Sequence, residues 1–278
     1  MSENMRTETV TDHRWHTPEE YDEATGRLQQ RNAALVARLH PDPDSVQRAY
    51  EVGCGTGALT EELAQVLPKA RITALDVSDD MLRLARNRGL APDRVEFRLG
   101  SFLEDDHTTD GRSVDAAEDG GYDAVFSNAA LHWLHPHYAD GFARIRRLLA
   151  PGGLLCAAAA GRTAAADAFD QRIEEATRGV LPDGDGSSFN RRRLTAADVV
   201  DLADAADLAV DDVFVVERRR TLPAPAYATW WVASGGPWSA DRPEAHEAVR
   251  VLTEALGGAR TEVELVHVST CMVLRRPA

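Results

Sequence analysis

The chain has 278 residues, with 31 Lys plus Arg against 45 Asp plus Glu and a formal net charge of -14. At roughly 150 residues per domain this is one large α/β domain with an insertion or two smaller domains, and 44% hydrophobic with 27% charged residues excludes disorder as the main state. The acidic balance argues against nucleic acid and against an anionic membrane surface as partners, and no apolar run approaches the roughly 20 residues of a membrane span.

The polar start, MSENMRTETVTDHRW, has no signal-peptide core. Three cysteines, Cys54, Cys156 and Cys271, lack zinc spacing. Together these features predict a soluble cytoplasmic protein. In chain order, residues 19–39 read as a helix, with Tyr21, Ala24, Leu28, Leu35, Val36 and Leu39 apolar and Pro41 and Pro43 as stops. Residues 46–52 read as a strand that runs into Gly53-Cys54-Gly55-Thr56-Gly57 and a helix ending at Pro68. A second strand spans 71–75, followed by a helix capped by Ser78 or Asp79 and stopped near Gly89. Residues 94–99 and 122–127 are further strands, 142–149 a helix, and the segment from Pro151 to Ala160 a fifth strand. This alternation predicts a mostly parallel sheet with helices on both faces. Residues 104–121 read as a solvated acidic insertion and 161–194 as a lid. Thr195 and Asp198 have capping-box spacing for a helix to Ala206. Residues 210–216 and 263–274 read as two last strands, with Pro223, Pro225, Trp230, Trp231, Pro237 and Trp238 and a helix near 244–256 between them.

The glycine turn sits where a strand hands over to a helix, so its backbone can approach a ligand closely. A dinucleotide fingerprint would need glycine at 53, 55 and 58, but position 58 is Ala58, which the pattern tolerates. The acidic residues are more telling. Glu51 would repel a pyrophosphate and attract an ammonium group. Asp76, at the end of the next strand, lies at the distance of about 20 residues expected for a ribose-hydroxyl acceptor. An ammonium group and a ribose without phosphate describe S-adenosylmethionine.

EVGCGTG followed by ALDVS resembles the class I S-adenosylmethionine-dependent methyltransferases over about residues 46–160. The resemblance implies a Rossmann-like α/β fold with a seven-stranded, mostly parallel sheet and one antiparallel strand, closed by a hairpin of 209–217 and 263–275. It implies a single domain: a helical cap over 1–45, a cofactor core over 46–160, the lid over 161–194, and sheet completion over 195–278 with a Trp-rich substrate-side insertion over 218–260. Gly53, Cys54, Gly55 and Gly57 would line the methionine and ribose side. Glu51 would act near the ammonium, Asp76 would hold the ribose hydroxyls, and Val77 and Met81 would touch adenine or ribose. Gly100-Ser101-Phe102 replaces the usual Asp at the third-strand exit, leaving Ser101 and Phe102 for the adenine side. Asn128 and Ala129 would close the cofactor pocket.

The segment Phe126-Ser127-Asn128-Ala129-Ala130-Leu131-His132-Trp133 resembles trans-aconitate methyltransferases, the malonyl carrier-protein methyltransferases of biotin synthesis, and the juvenile hormone acid methyltransferases. All esterify carboxylates. Leu28-Gln29-Gln30-Arg31-Asn32-Ala33 resembles an N-terminal segment of the juvenile hormone group, which implies Gln29 at the active site. Thr221-Leu222-Pro223 through Trp230-Trp231 and Pro237-Trp238 resembles a substrate-side segment of the trans-aconitate group. A carboxylate, with a reference pKa of about 4, is already ionised at pH 7 and needs no general base. His132, Trp133 and Gln29 are therefore the candidate catalytic residues, as donor, apolar wall and orienting group. Tyr21, Arg31, Trp230 and Trp231 are the substrate-side candidates. Arg31, His132 and the run Arg191-Arg192-Arg193 are the cations available to a carboxylate. The sequence predicts O-methylation of an organic acid, with S-adenosylmethionine consumed and S-adenosylhomocysteine released. It leaves open N-, O- or C-methylation of a natural product, and cofactor binding without methyl transfer. His132, His135 and His137 have no supporting Cys and Pro136 breaks their helical period, so no metal is expected. Cys54 reads as a packing residue.

Overall fold

Apolar runs such as Ile72-Thr73-Ala74-Leu75 and Val125-Phe126 are continuous rather than alternating, as strands covered on both faces require. In the computed structural model, which describes residues 30–103, 121–164, 166–168, 171, 175, 192–235 and 243–278, these runs form the centre of one sheet. Strands β1 (Arg48–Val52), β2 (Arg71–Asp76), β3 (Val95–Leu99), β4 (Tyr122–Asn128) and β5 (Leu149–Ala160) are mutually parallel. Strands β6 (Ala209–Pro223) and β7 (Glu262–Arg275) complete the seven-stranded order β3-β2-β1-β4-β5-β7-β6, with β7 antiparallel to both neighbours. The expected Rossmann-like α/β sheet with one antiparallel strand is what the chain forms. Tyr21, Gln29, Arg191 and Trp238, the insertion over 104–120 and most of the 161–194 segment lie outside the described residues.

Helices cover both faces. Residues 30–37 (α1) and Ala58–Val66 (α2) pack Ala33, Val36, Leu59 and Leu63 on one face with Ile72, Phe126 and Cys271. On the other face, Tyr138–Leu148 (α4) and Ala196–Ala205 (α5) bury Phe142, Ile145, Leu148 and Val199 with Val125, Leu155 and Met272. Helix Asp79–Arg86 (α3) starts at Ser78, whose hydroxyl accepts from the Met81 N–H. Thr195 and Asp198 form the reciprocal capping box.

Three boundaries differ from the sequence expectation. Helix α4 begins at Tyr138 rather than Phe142, because Gly141 sits within the first turns as a contact surface: a Cβ there would lie 2.5 Å from Leu134 Cδ1. Strand β6 runs on to Pro223 instead of ending near 216, because Glu217–Thr221 pair with Glu264–Val268 of β7. The Trp-rich segment is a helix, α6 (Ala224–Gly235), which packs with α7 (Pro243–Ala255) and with Val263 and Leu265 of β7 in a satellite core. The sheet order reverses at β1, between β2 and β4. In open α/β sheets ligands bind outside the carboxyl ends of strands at such a switch point.

Candidate active site at the switch point

Strand β1 ends with Glu51 buried beneath the glycine turn. Its Oε2 accepts a 2.7 Å hydrogen bond from Thr60 Oγ1 of α2. Burial pushes the Glu51 carboxyl up to about 8; nearby Asp76 adds to this, while Thr60 and Arg88 oppose it. The chain then turns sharply. Gly53 has φ +67°, and a Cβ on it would lie 2.3 Å from Ala130 Cβ, so the turn after β1 and the segment after β4 meet with no room for a side chain. Gly55 points its N–H at Asp76 Oδ2 at 2.7 Å, and Ser78 donates its N–H to Asp76 Oδ1 at 2.9 Å. Burial raises the Asp76 carboxyl, and the backbone bonds from Ser78, Gly55 and Val77 pull it back. Both carboxylate oxygens retain lone pairs for further donors. Gly57 caps α2 in the left-handed region at φ +82°.

Two residues that sequence reasoning missed hold this turn. Thr60 is the partner of Glu51, and its signal is its place in the first turns of the helix after the glycines. Arg88 donates from Nε to the Thr56 carbonyl at 2.5 Å and from Nη1 to Glu61 at 2.5 Å, clamping the loop to its helix. Cys54 is buried beside Ala74 and Leu82, and burial, with Glu51 and Asp76 nearby, drives its thiol well above the ordinary range. Its side chain is packing and is no nucleophile; what it offers a ligand is backbone. Val77 is 56% exposed next to Asp76, an apolar surface at the lip of the cleft, whereas Met81 is buried. Ser101 is half-buried. Phe102 is buried. Its ring belongs to the core, 6.4 Å from the Tyr50 ring and beneath the Arg144 guanidinium at 5.3 Å.

At the β4 exit, Asn128 is half-buried and Ala129 takes φ +55°, with its N–H bonded to the Ala158 carbonyl at 2.8 Å. A left-handed non-glycine residue costs about 1–2 kcal/mol, and here it aims the following 3-10 turn, Leu131–Leu134, across the cleft. His132 is buried, and its Nδ1 accepts from the Ala160 N–H at 3.3 Å. The neutral ring therefore carries its proton on Nε2. Burial, followed by the charges of Arg192 and Arg193 and by His267, lowers its pKa to about 3. This corrects the expectation of His132 as a cation: it is a neutral imidazole at pH 7. Trp133 lies against it, ring centroids 5.2 Å apart, and carries the Arg192 guanidinium over its face at 4.8 Å. Tyr138 donates its hydroxyl to the Arg192 carbonyl at 2.6 Å, fixing where the chain returns to the site. His135 faces Tyr138 and His137 faces Asp140, so the three histidines diverge; no group of three metal-ligating residues occurs among the described residues.

Of the substrate-side candidates, Arg31 is exposed and its neighbour Asn32 points inward instead. The spacing of Asn32, Ala33, Val36 and Ala37 carries that signal. Trp230 and Trp231 are half-buried against the α6–α7 core, Trp230 at 5.8 Å from the Tyr227 ring. No helix among the described residues is long and apolar enough to cross a membrane.

A methyltransferase domain family matches residues 50–155. Trans-aconitate 2-methyltransferase of Rhodopseudomonas palustris is 34% identical over 112 residues, 40% of this chain and 38% of that protein. Malonyl-[acyl-carrier protein] O-methyltransferase of Bacillus cytotoxicus is 32% identical over 119 residues, 42% of this chain and 36% of that protein. The chain thus spans well under half the length of these curated relatives. The fold is similar to that of phosphoethanolamine N-methyltransferase 2 of Haemonchus contortus, solved with S-adenosyl-L-methionine, at a TM-score of 0.55 and 15% identity over 94% of this chain and 57% of that one.

Proposed function

We propose that the chain is a class I S-adenosylmethionine-dependent methyltransferase that O-methylates the carboxylate of a small or medium organic acid. The cleft fits the cofactor. Gly53 and Gly55 leave the backbone bare, Glu51 and Asp76 supply acceptors for an ammonium and a ribose, and Val77 offers an apolar surface at the lip. When bound, S-adenosylmethionine supplies an electrophilic methyl group on a positively charged sulfur.

The observation that carries the carboxylate reading is the state of His132. A base awaiting a proton needs a pKa near the working pH. His132 sits at about 3, with Nδ1 occupied by the Ala160 N–H. No such base is required when the acceptor is already ionised. The chain's work is then positioning and exclusion of water. His132 would donate from Nε2 to the acceptor carboxylate, Trp133 would wall the site, and Arg192 and Arg193 would offset the acceptor's charge. Gln29, which lies outside the described residues, would orient the carboxylate. Relatives named for trans-aconitate and for malonyl-acyl carrier protein support an acid as acceptor. The three buried free cysteines suit a reducing, cytoplasmic setting.

The test is formation of S-adenosylhomocysteine from S-adenosylmethionine with panels of carboxylic acids, amines and phenols. Turnover with acids is expected, at a rate under saturating S-adenosylmethionine that does not change between pH 5.5 and 8. Turnover confined to amines or phenols, rising with pH, would overturn the carboxylate reading.

A further inference from the structure

The closing hairpin carries polar groups on the face turned towards α1. Side chains alternate along a strand, so His267 shares a face of β7 with Leu265 and Ser269. The register sets Arg218 of β6 directly opposite His267. Asn32 of α1 reaches both strands: its Oδ1 accepts from Arg218 Nη1, and its Nδ2 donates to Ser269 Oγ at 3.1 Å. The Arg218 guanidinium is thus oriented by an amide that is itself held. His267 Nδ1 is out of contact with solvent and has no hydrogen-bond partner among the described residues. A buried polar atom left unsatisfied costs about 1–3 kcal/mol, and native proteins keep few of them.

This group adjoins the acceptor site. His132 Nδ1 takes the Ala160 N–H, Ala160 pairs with Ser269, and Ser269 lies two residues from His267 on the same face of β7; the charge of Arg193 reaches both imidazoles. Burial and the charges of Arg193 and Arg218 hold His267 down at about 4, so its ring is neutral. In a chain of net charge -14, arginines gathered round the buried His132 and the half-buried His267 are not a sample of the average surface. They make a local site for negative charge.

We propose that Arg218 and His267, with Asn32 as the positioning residue, form a second anion subsite that holds an anionic group of the substrate other than the carboxylate that receives the methyl. The proposal rests on the acid-methylation reading and narrows it to acids with at least two anionic groups. Arg218 supplies charge and a donor fork, and His267, in its Nδ1–H tautomer, supplies a further donor to the ligand.

The test is calorimetric binding to the S-adenosylhomocysteine complex of the intact chain. The probes are diacids from succinate to suberate, the monoacids of matching chain length, and 3-phosphoglycerate to separate phosphate from carboxylate as the second group. At least one diacid, or 3-phosphoglycerate, should bind about tenfold to a hundredfold tighter than its monoacid counterpart. Arg218→Gln should remove that advantage while leaving S-adenosylhomocysteine affinity unchanged. His267→Asn, which keeps a polar atom near the place of Nδ1, should retain more of it than His267→Leu. Equal binding of mono- and dianionic acids, or an advantage that survives Arg218→Gln in a folded variant, would overturn the subsite and leave the carboxylate reading standing. Failure of every acid to bind the complex would overturn both.

Discussion

The two sides of the cleft are built by opposite means and carry opposite charge. On the β1–β2 side, backbone does most of the work: a glycine turn, an aspartate gripped by two N–H groups, and a buried glutamate. On the hairpin side, long side chains do it: Arg192 over Trp133, Arg218 on Asn32, and imidazoles on β7 and after β4. In the proposed reading the acidic side meets a cationic cofactor and the basic side an anionic acceptor.

The largest effect should come from breaking the backbone side. Gly53→Ala puts a Cβ 2.3 Å from Ala130 Cβ at a positive φ, and loss of measurable cofactor binding by calorimetry is expected. Next is the charge state of that side. Glu51, raised to about 8, is protonated at pH 7 without cofactor, and an arriving ammonium favours the carboxylate. Cofactor binding at pH 7 should therefore release a proton, visible as a heat that depends on buffer ionisation enthalpy. Affinity should rise from pH 6 to 8, and Glu51→Gln should abolish the release. The same shift makes the folded apo chain bind more protons than the unfolded one, so this group lowers stability as pH rises from its ordinary value of 4.5 through about 8.

A smaller test falls on the basic side. With His132 at about 3, acid methylation should show no inflection near 6.5 in its rate profile; an inflection there that vanishes in His132→Asn would make it a titrating catalyst. The smallest effect is that of Thr195→Ala, at the helix start that follows Arg193. Loss of the capping box should cost about 1 kcal/mol and lower Tm by about 2 °C, with cofactor affinity unchanged.

The contrast also explains what the sequence reveals. The acidic side is local: Glu51 meets Thr60, and Asp76 meets Gly55, within a single strand-turn-helix unit and its successor. Glycines, caps and apolar runs report such geometry directly. The basic side joins positions 186 and 237 residues apart in the bonds of Asn32 to Arg218 and Ser269. Only the helical stripe of α1 and the alternation along β7 hint at it. Arg31 drew attention by its charge, while Asn32 lies on the buried stripe. The far end of β6 is hidden for a similar reason: Glu217-Arg218-Arg219-Arg220 looks like a solvated charge run, and its strand character comes from pairing with β7 across two intervening helices. The position of Phe102 matches a cofactor contact in the family resemblance, and its ring packs in the core between Tyr50 and Arg144.

The most direct test of the central claim is calorimetric titration of S-adenosylmethionine and S-adenosylhomocysteine into wild type and Asp76→Ala. Binding to wild type, weakened about tenfold or more in the variant, is the predicted result, since the substitution removes a charged acceptor from the proposed ribose position. No binding to folded wild type, or equal affinity in Asp76→Ala, would contradict the assignment of this cleft as the cofactor site.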